Sequence, residues 1–160
     1  MQVDLNADMG ESFGPWKMGD DAALLNTVTS ANIACGAHAG DPDVMATTMG
    51  IALERGVGIG AHPGLPEIQG VGRRRIQMPR ASLQNSIRGQ VGASLGMAAA
   101  WGAEVRHIKL HGALGNMTSE DEDMARACFE AALSAHPGAI IVVLAATAQE
   151  RAVRSMGARF

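Results

Sequence analysis

The chain is predicted to be an α/β protein built on a parallel sheet, with one domain over residues 1–160. Three observations lead there. Short runs rich in Val and Ile at 2–7, 30–35, 57–61, 104–110 and 139–145 have the length of strands. Longer stretches at 20–28, 41–55, 80–101, 118–135 and 147–157 carry apolar residues at helical spacing. The two kinds alternate without a linker or low-complexity segment, and such alternation is the pattern of βα units on parallel strands.

In the first strand, Val3-Asp4-Leu5-Asn6-Ala7-Asp8 alternates at period two, so Asp4, Asn6 and Asp8 share one face. An unpartnered carboxylate inside a sheet costs several kcal/mol, so this row implies a metal, a substrate or cationic side chains to compensate it. The plain alternative is an edge strand with a wet face. Asp41 before Pro42 marks the start of the second helix and Gly56 its end. Thr118 or Ser119, preceding acidic residues, marks the start of the fourth. A complete β/α barrel takes roughly 200 residues or more. Five units therefore make either an open sheet or the front part of a barrel.

The 160 residues, 47% of them apolar, suffice for a substantial core. A net charge of -3, with Arg73-Arg74-Arg75 as the one basic cluster, argues against nucleic acid as the partner. No apolar run reaches the roughly 18 to 20 residues that span a bilayer, and the N-terminus enters a strand pattern without a leader-like segment. A cytoplasmic location away from membranes is expected. Cys35 and Cys128 lie in unrelated contexts and read as reduced thiols. Aromatic residues are 3% with no Tyr, so small side chains and Met must fill the core.

In parallel α/β proteins the loops at the carboxyl ends of strands carry the site. Asp8 and Glu11 follow the first strand, Cys35 to Asp41 with His38 the second, His62-Pro63-Gly64 the third, and Lys109-Leu110-His111-Gly112 with Asn116 the fourth. A single strand-end histidine is usually structural. Four successive ends with such residues suggest a site. His107, Lys109 and His111 alternate and share a face, and Lys109 needs a carboxylate, Asp4 or Asp8. Such a gathering could polarise a carbonyl and activate water, or serve only as an internal ion pair. No Gly-Lys dipeptide is present, which excludes a Walker A loop. The loop Gly70 to Arg75 could bring guanidinium groups to an anion or lie solvated. Cys35 and His38 invite a thiol-nucleophile reading without a located base. No metal ligand is assigned, because His107 and His111 are far apart on a strand and a metal would need ligands from separate strands.

The blocks Val3 to Trp16, Met18-Gly19-Asp20-Asp21, Ser30 to Pro42, Gly60-Ala61-His62-Pro63, Gln69 to Arg74 and His111-Gly112-Ala113-Leu114 resemble the signature segments of the LamB/YcsF family, whose members form the A subunit of bacterial 5-oxoprolinase. The resemblance covers nearly the whole chain. It implies a distorted β/α barrel similar to glycoside hydrolase and deacetylase barrels, with the C-terminal part missing because such chains usually continue further. It implies ATP-dependent opening of the 5-oxoproline lactam to L-glutamate, in the cytoplasm, with B and C subunits as partners, a divalent ion such as Mg entering with ATP. Homo-oligomer formation is compatible with it. Ala37, Leu65, Val71, Leu110 and Gly115 depart from the family's usual residues and thin the pocket wall. On both lines Asp8, Lys109, His111, His38 and His62 are the expected catalytic residues, and Asp4, Asn6, Glu11, Asn32, Arg73, Arg74 and Asn116 the expected substrate contacts. Asp8 would position water, Lys109 and His111 would stabilise the oxyanion, and His38 or His62 would protonate the leaving nitrogen. The alternatives are a metal-dependent amide hydrolase or carbohydrate deacetylase, and a non-catalytic binding subunit.

Overall fold

In a computed structural model of the chain, described here over residues 3–160, five parallel strands lie in the order β1-β2-β3-β4-β5. They are β1 (Asn6–Met9), β2 (Ser30–Ala34), β3 (Gly58–His62), β4 (Val105–Lys109) and β5 (Ile140–Val142). Six helices connect and follow them: α1 (Asp21–Leu24), α2 (Pro42–Glu54), α3 (Arg80–Ala100), α4 (Gly112–Glu120), α5 (Glu122–Ala135) and α6 (Ala148–Met156). Each strand sits beside its predecessor in sequence. That is the singly wound order of a β/α arc, with β1 and β5 at its edges, rather than a sheet wound outward from the middle.

Local chemistry sets the helix ends. The Asp41 carboxylate accepts from the Val44 amide with Pro42 in the first turn, and Gly56 takes a φ of 68° just past the end of α2. The expected helix 118–135 is corrected: it is two helices broken at Asp121, whose extended backbone and carboxylate cap α5 at the Met124 amide. α4 begins at Gly112, in what read as a loop, because its few apolar residues give a weak periodic signal. The first strand also differs from the expected 2–7. Gln2 lies outside the described residues, Val3 and Leu5 are exposed, and the strand is β1, which begins four residues later and ends two residues later than expected. The first helix is only α1, shorter than 20–28.

One face of the sheet is apolar. Ala31, Ile33, Ile59, Ala61, Ile108 and Ile141 belong to a core shared with Met45 and Met49 of α2, Leu83, Ile87 and Val91 of α3, and Phe129 of α5. Each large side chain fully buried there contributes about 1.5–3 kcal/mol. The other face is polar. In register across the sheet run Asp8, Asn32, Gly60 and His107, and toward the carboxyl end His62 and Lys109. In a regular strand Val105, His107 and Lys109 would share a face. Ile59 pairs with Val105 but Gly60 pairs with His107, so β4 bulges at Arg106. The extra residue leaves Val105 in the core and turns His107 and Lys109 to the polar face. No helix among the described residues is long and apolar enough to cross a membrane.

Candidate active site

The polar face is wired from β1 to β4. Asn6 Nδ2 donates to Ser30 Oγ at 2.7 Å and to Asn32 Oδ1 at 3.1 Å. Asn32 Nδ2 donates to Asp8 Oδ1 at 2.7 Å and to Asn6 Oδ1 at 2.5 Å. His107 Nε2 donates to Asn32 Oδ1 at 2.8 Å across Gly60, where any side chain would overlap the imidazole. Lys109 Nζ reaches Asp8 Oδ1 at 2.7 Å, and His62 Nε2 lies 3.3 Å from Asp8 Oδ2. The two partners of the lysine pair are each about a third exposed, so the row opens to solvent at this end.

Beyond Asp8, at the carboxyl ends of β1 to β4, sit Glu11, His38, His62 as the last residue of β3, and His111, the three imidazoles fully buried. His62 Nδ1 meets the Lys109 carbonyl at 2.7 Å, and His111 Nε2 meets the Val71 carbonyl at 2.8 Å. His62 Nε2 and His111 Nδ1 face each other at 2.9 Å. Glu11 Oε1 is 3.4 Å from His111 Nδ1 and 3.5 Å from His38 Nε2, without a hydrogen bond to either. The His38 and His111 rings stack at 3.7 Å and 5°. One ligand atom from each of these four residues falls within 4.8 Å of every other, and they come from separate strand ends.

The backbone is shaped to fit. Gly64 and Gly72 pass so close to His38 that a Cβ on either would lie 2.5 or 2.6 Å from it. The buried Gln90 amide clamps Gly64, accepting from its N–H and donating to its C=O, both at 2.9 Å. Val71 holds a φ of 53°, unusual for a β-branched residue, and so aims its carbonyl at His111. Gly10, after β1, is anchored through its amide to Asp21 at 2.8 Å.

Electrostatics follow from burial and partners. Burial pushes the Asp8 carboxyl up, but His62, Lys109 and Asn32 outweigh it and hold it well below the usual carboxylate range. Burial likewise raises Glu11, and the surrounding imidazoles bring it below its ordinary value. Burial lowers His38 and His107, and with His38 and His62 nearby it pushes His111 down to about 4. His38, His107 and His111 are therefore favoured as neutral imidazoles, with Asp8 and Glu11 ionised.

Of the residues expected at the site, Asp8, Glu11, Asn32, His38, His62, Lys109 and His111 gather at the carboxyl ends of the strands. Asn6 lies one row deeper. Asp4 is corrected: it binds Thr29 and Ser30 at the amino end of β2, so Lys109 takes Asp8 as its partner. Arg73, Asn116 and Lys109 line a cavity of about 230 Å³ with Leu110, Gly115 and Gln149. Arg74 turns outward to Glu67 at 3.5 Å, and Arg75 forms a two-pronged pair with Glu120. The thiol reading fails. Cys35 is buried against Ser94, and burial pushes its thiol up to about 11. Sequence reasoning missed Gln90 and the Val71 carbonyl. A glutamine between Ile87 and Val91 on an apolar helix face was the available signal for the first; a carbonyl leaves none.

Fold and site together define a parallel β/α protein with an imidazole, carboxylate and ammonium site at the carboxyl ends of its strands. The chain belongs to the LamB/YcsF family, whose model matches residues 3–160. It is 66% identical to the A subunit of 5-oxoprolinase from Ruegeria pomeroyi over 99% of its length and 63% of that protein's. It is 47% identical to the corresponding 5-oxoprolinase protein of Bordetella pertussis, covering 98% of this chain and 62% of that one. The crystal structure of a lactam utilization protein from Thermus thermophilus superposes with a TM-score of 0.97 at 39% identity, over 99% of this chain and 64% of that one. The chain thus spans a little under two thirds of these relatives' length.

Proposed function

We propose that the site opens the lactam ring of 5-oxoproline to L-glutamate, coupled to ATP hydrolysis, as the A subunit of a cytoplasmic enzyme completed by B and C subunits. The observation that carries the reading is the 66% identity to the A subunit of a 5-oxoprolinase, combined with an intact chain of Asp8, Lys109, His62 and His111 contacts. A lactam sits in the cavity beside Lys109, with Arg73 available to its carboxylate and Asn116 to its ring amide. Asp8 stays anionic and orients a water toward the carbonyl carbon, while the Lys109 ammonium stabilises the developing oxyanion. As the water's oxygen bonds to that carbon its proton passes to a buried neutral imidazole, which returns that proton to the ring nitrogen as the C–N bond breaks. Hydrolysis of ATP to ADP and phosphate, which consumes a second water, would supply the driving force by activating the lactam oxygen, with the nucleotide held partly by the other subunits. Its Mg ion is carried with it.

Glutamate release from 5-oxoproline by the chain, with and without ATP and the B and C subunits, tests this. Release that requires all of them, and falls at least a hundredfold in Asp8→Asn and Lys109→Ala, is the expected result. Wild-type release by both variants would instead give the chain a purely non-catalytic, binding role.

A further inference from the structure

We propose that Glu11, His62 and His111, with His38 as a fourth donor, bind one first-row divalent transition-metal ion of the zinc class. The proton positions drive the argument. Backbone carbonyls only accept, so the Lys109 carbonyl places a hydrogen on His62 Nδ1 and the Val71 carbonyl places one on His111 Nε2. In neutral rings the two remaining nitrogens are then bare lone pairs, and they point at each other across 2.9 Å. Something positive belongs there. A single proton would join those two atoms but leave Glu11 Oε1 and both nitrogens of His38 buried without partners. A cation answers the converging atoms together.

The spacing agrees. Ligand atoms at about 2.0–2.1 Å from one tetrahedral ion lie roughly 3.3–3.4 Å apart. Here His111 to Glu11 is 3.4 Å and Glu11 to His38 is 3.5 Å, His62 to His111 at 2.9 Å opens by roughly 0.4 Å to take the ion, and no two of the four ligand atoms are more than 4.8 Å apart. A ligating histidine characteristically donates its other N–H to a carbonyl, which both His62 and His111 do. His38 lies flat on His111, so it must tilt to coordinate and is the weakest of the four donors. Three imidazoles and one carboxylate select zinc-like ions over Mg²⁺ or Ca²⁺, which prefer all-oxygen shells. Asp8, 3.3 Å from His62 Nε2, borders the ion and is placed to bind a water on it.

This site does not depend on the lactam reading; with the ion bound, His62 and His111 are ligands and His38, the weakest donor, is the imidazole left to carry a proton, and the test reads occupancy rather than turnover. Tag-free protein is stripped with a chelator and titrated with Zn²⁺ and, separately, Co²⁺, with bound metal counted by elemental analysis and by Co²⁺ visible absorption. The expected result is one ion per chain, an affinity at least tenfold lower in Glu11→Gln and in His62→Asn, and no change in Asp121→Ala, which lies at the junction of α4 and α5. As a readout that needs no variant, ¹⁵N shifts of the His62 and His111 rings in wild-type protein should move on adding one equivalent of Zn²⁺. Absence of stoichiometric uptake, unmoved ring shifts, or uptake that survives the Glu11→Gln/His62→Asn pair would overturn the assignment. Glutamate release by chelator-treated protein at full rate would end a catalytic role for the ion while leaving the binding result to stand or fall alone.

Discussion

Gly60 shows how one missing side chain makes the polar face. The His107 imidazole lies where a Cβ would be, 2.1 Å from its Nε2, and that nitrogen is held by Asn32, so the ring cannot swing aside without breaking a buried bond. Gly60→Ala should therefore lose about 3 kcal/mol or more, read as a shift in the urea midpoint. Val71 poses the opposite case. A valine in left-handed conformation costs roughly 1–2 kcal/mol, so Val71→Gly should recover part of that while keeping the carbonyl on His111. A rise in the urea midpoint checks it. Lys109→Met is expected to cost only about 1 kcal/mol, because the Lys109–Asp8 pair is partly exposed, yet to abolish glutamate release in the reconstituted assay.

Among the elements, the junction of α4 and α5 and the bulge in β4 have the largest consequences for the site. Asp121 ends one helix and caps the next, so Asp121→Ala should lower stability by about 1 kcal/mol, measured by thermal or urea unfolding, without altering metal uptake. α4 carries Asn116 to the cavity that also borders Lys109, and the buried Gln149 amide of α6 ties it down through the Gly115 carbonyl and Thr118 hydroxyl. The bulge at Arg106 lets one short strand serve two faces, with Val105 in the core and His107 and Lys109 on the polar side.

For the whole molecule, buried neutral imidazoles link stability to pH. Burial lowers His107 below its ordinary value near 6.5, so below that pH the unfolded chain binds the proton more readily than the folded one. Its contribution is complete above about pH 6.5 and is lost as pH falls toward and through the folded value. The urea midpoint should drop between pH 7.5 and 5.5, and His107→Gln should show a shallower drop than wild type. The small-residue core also seals both thiols. Burial pushes Cys35 to about 11 and Cys128 to about 12, so a thiol reagent at pH 8 should find almost none in native protein and both after denaturation.

Periodicity, capping residues and side-chain alternation were enough to read the alternation of strands with helices, though not the break at Asp121 that makes α4 and α5 two helices, as well as the parallel sheet and the strand ends as the place where Asp8, His38, His62, Lys109 and His111 gather. Those signals are local, so a linear chain carries them in full. Folding alone selected the carboxylate that meets Lys109, put Asp4 at the opposite end of the sheet, and turned Arg73, of its three arginines, to the cavity. It also set two backbone carbonyls so that His62 and His111 face each other beside Glu11. These arrangements depend on register, a bulge and the path of loops between distant segments, and no spacing within one segment encodes them.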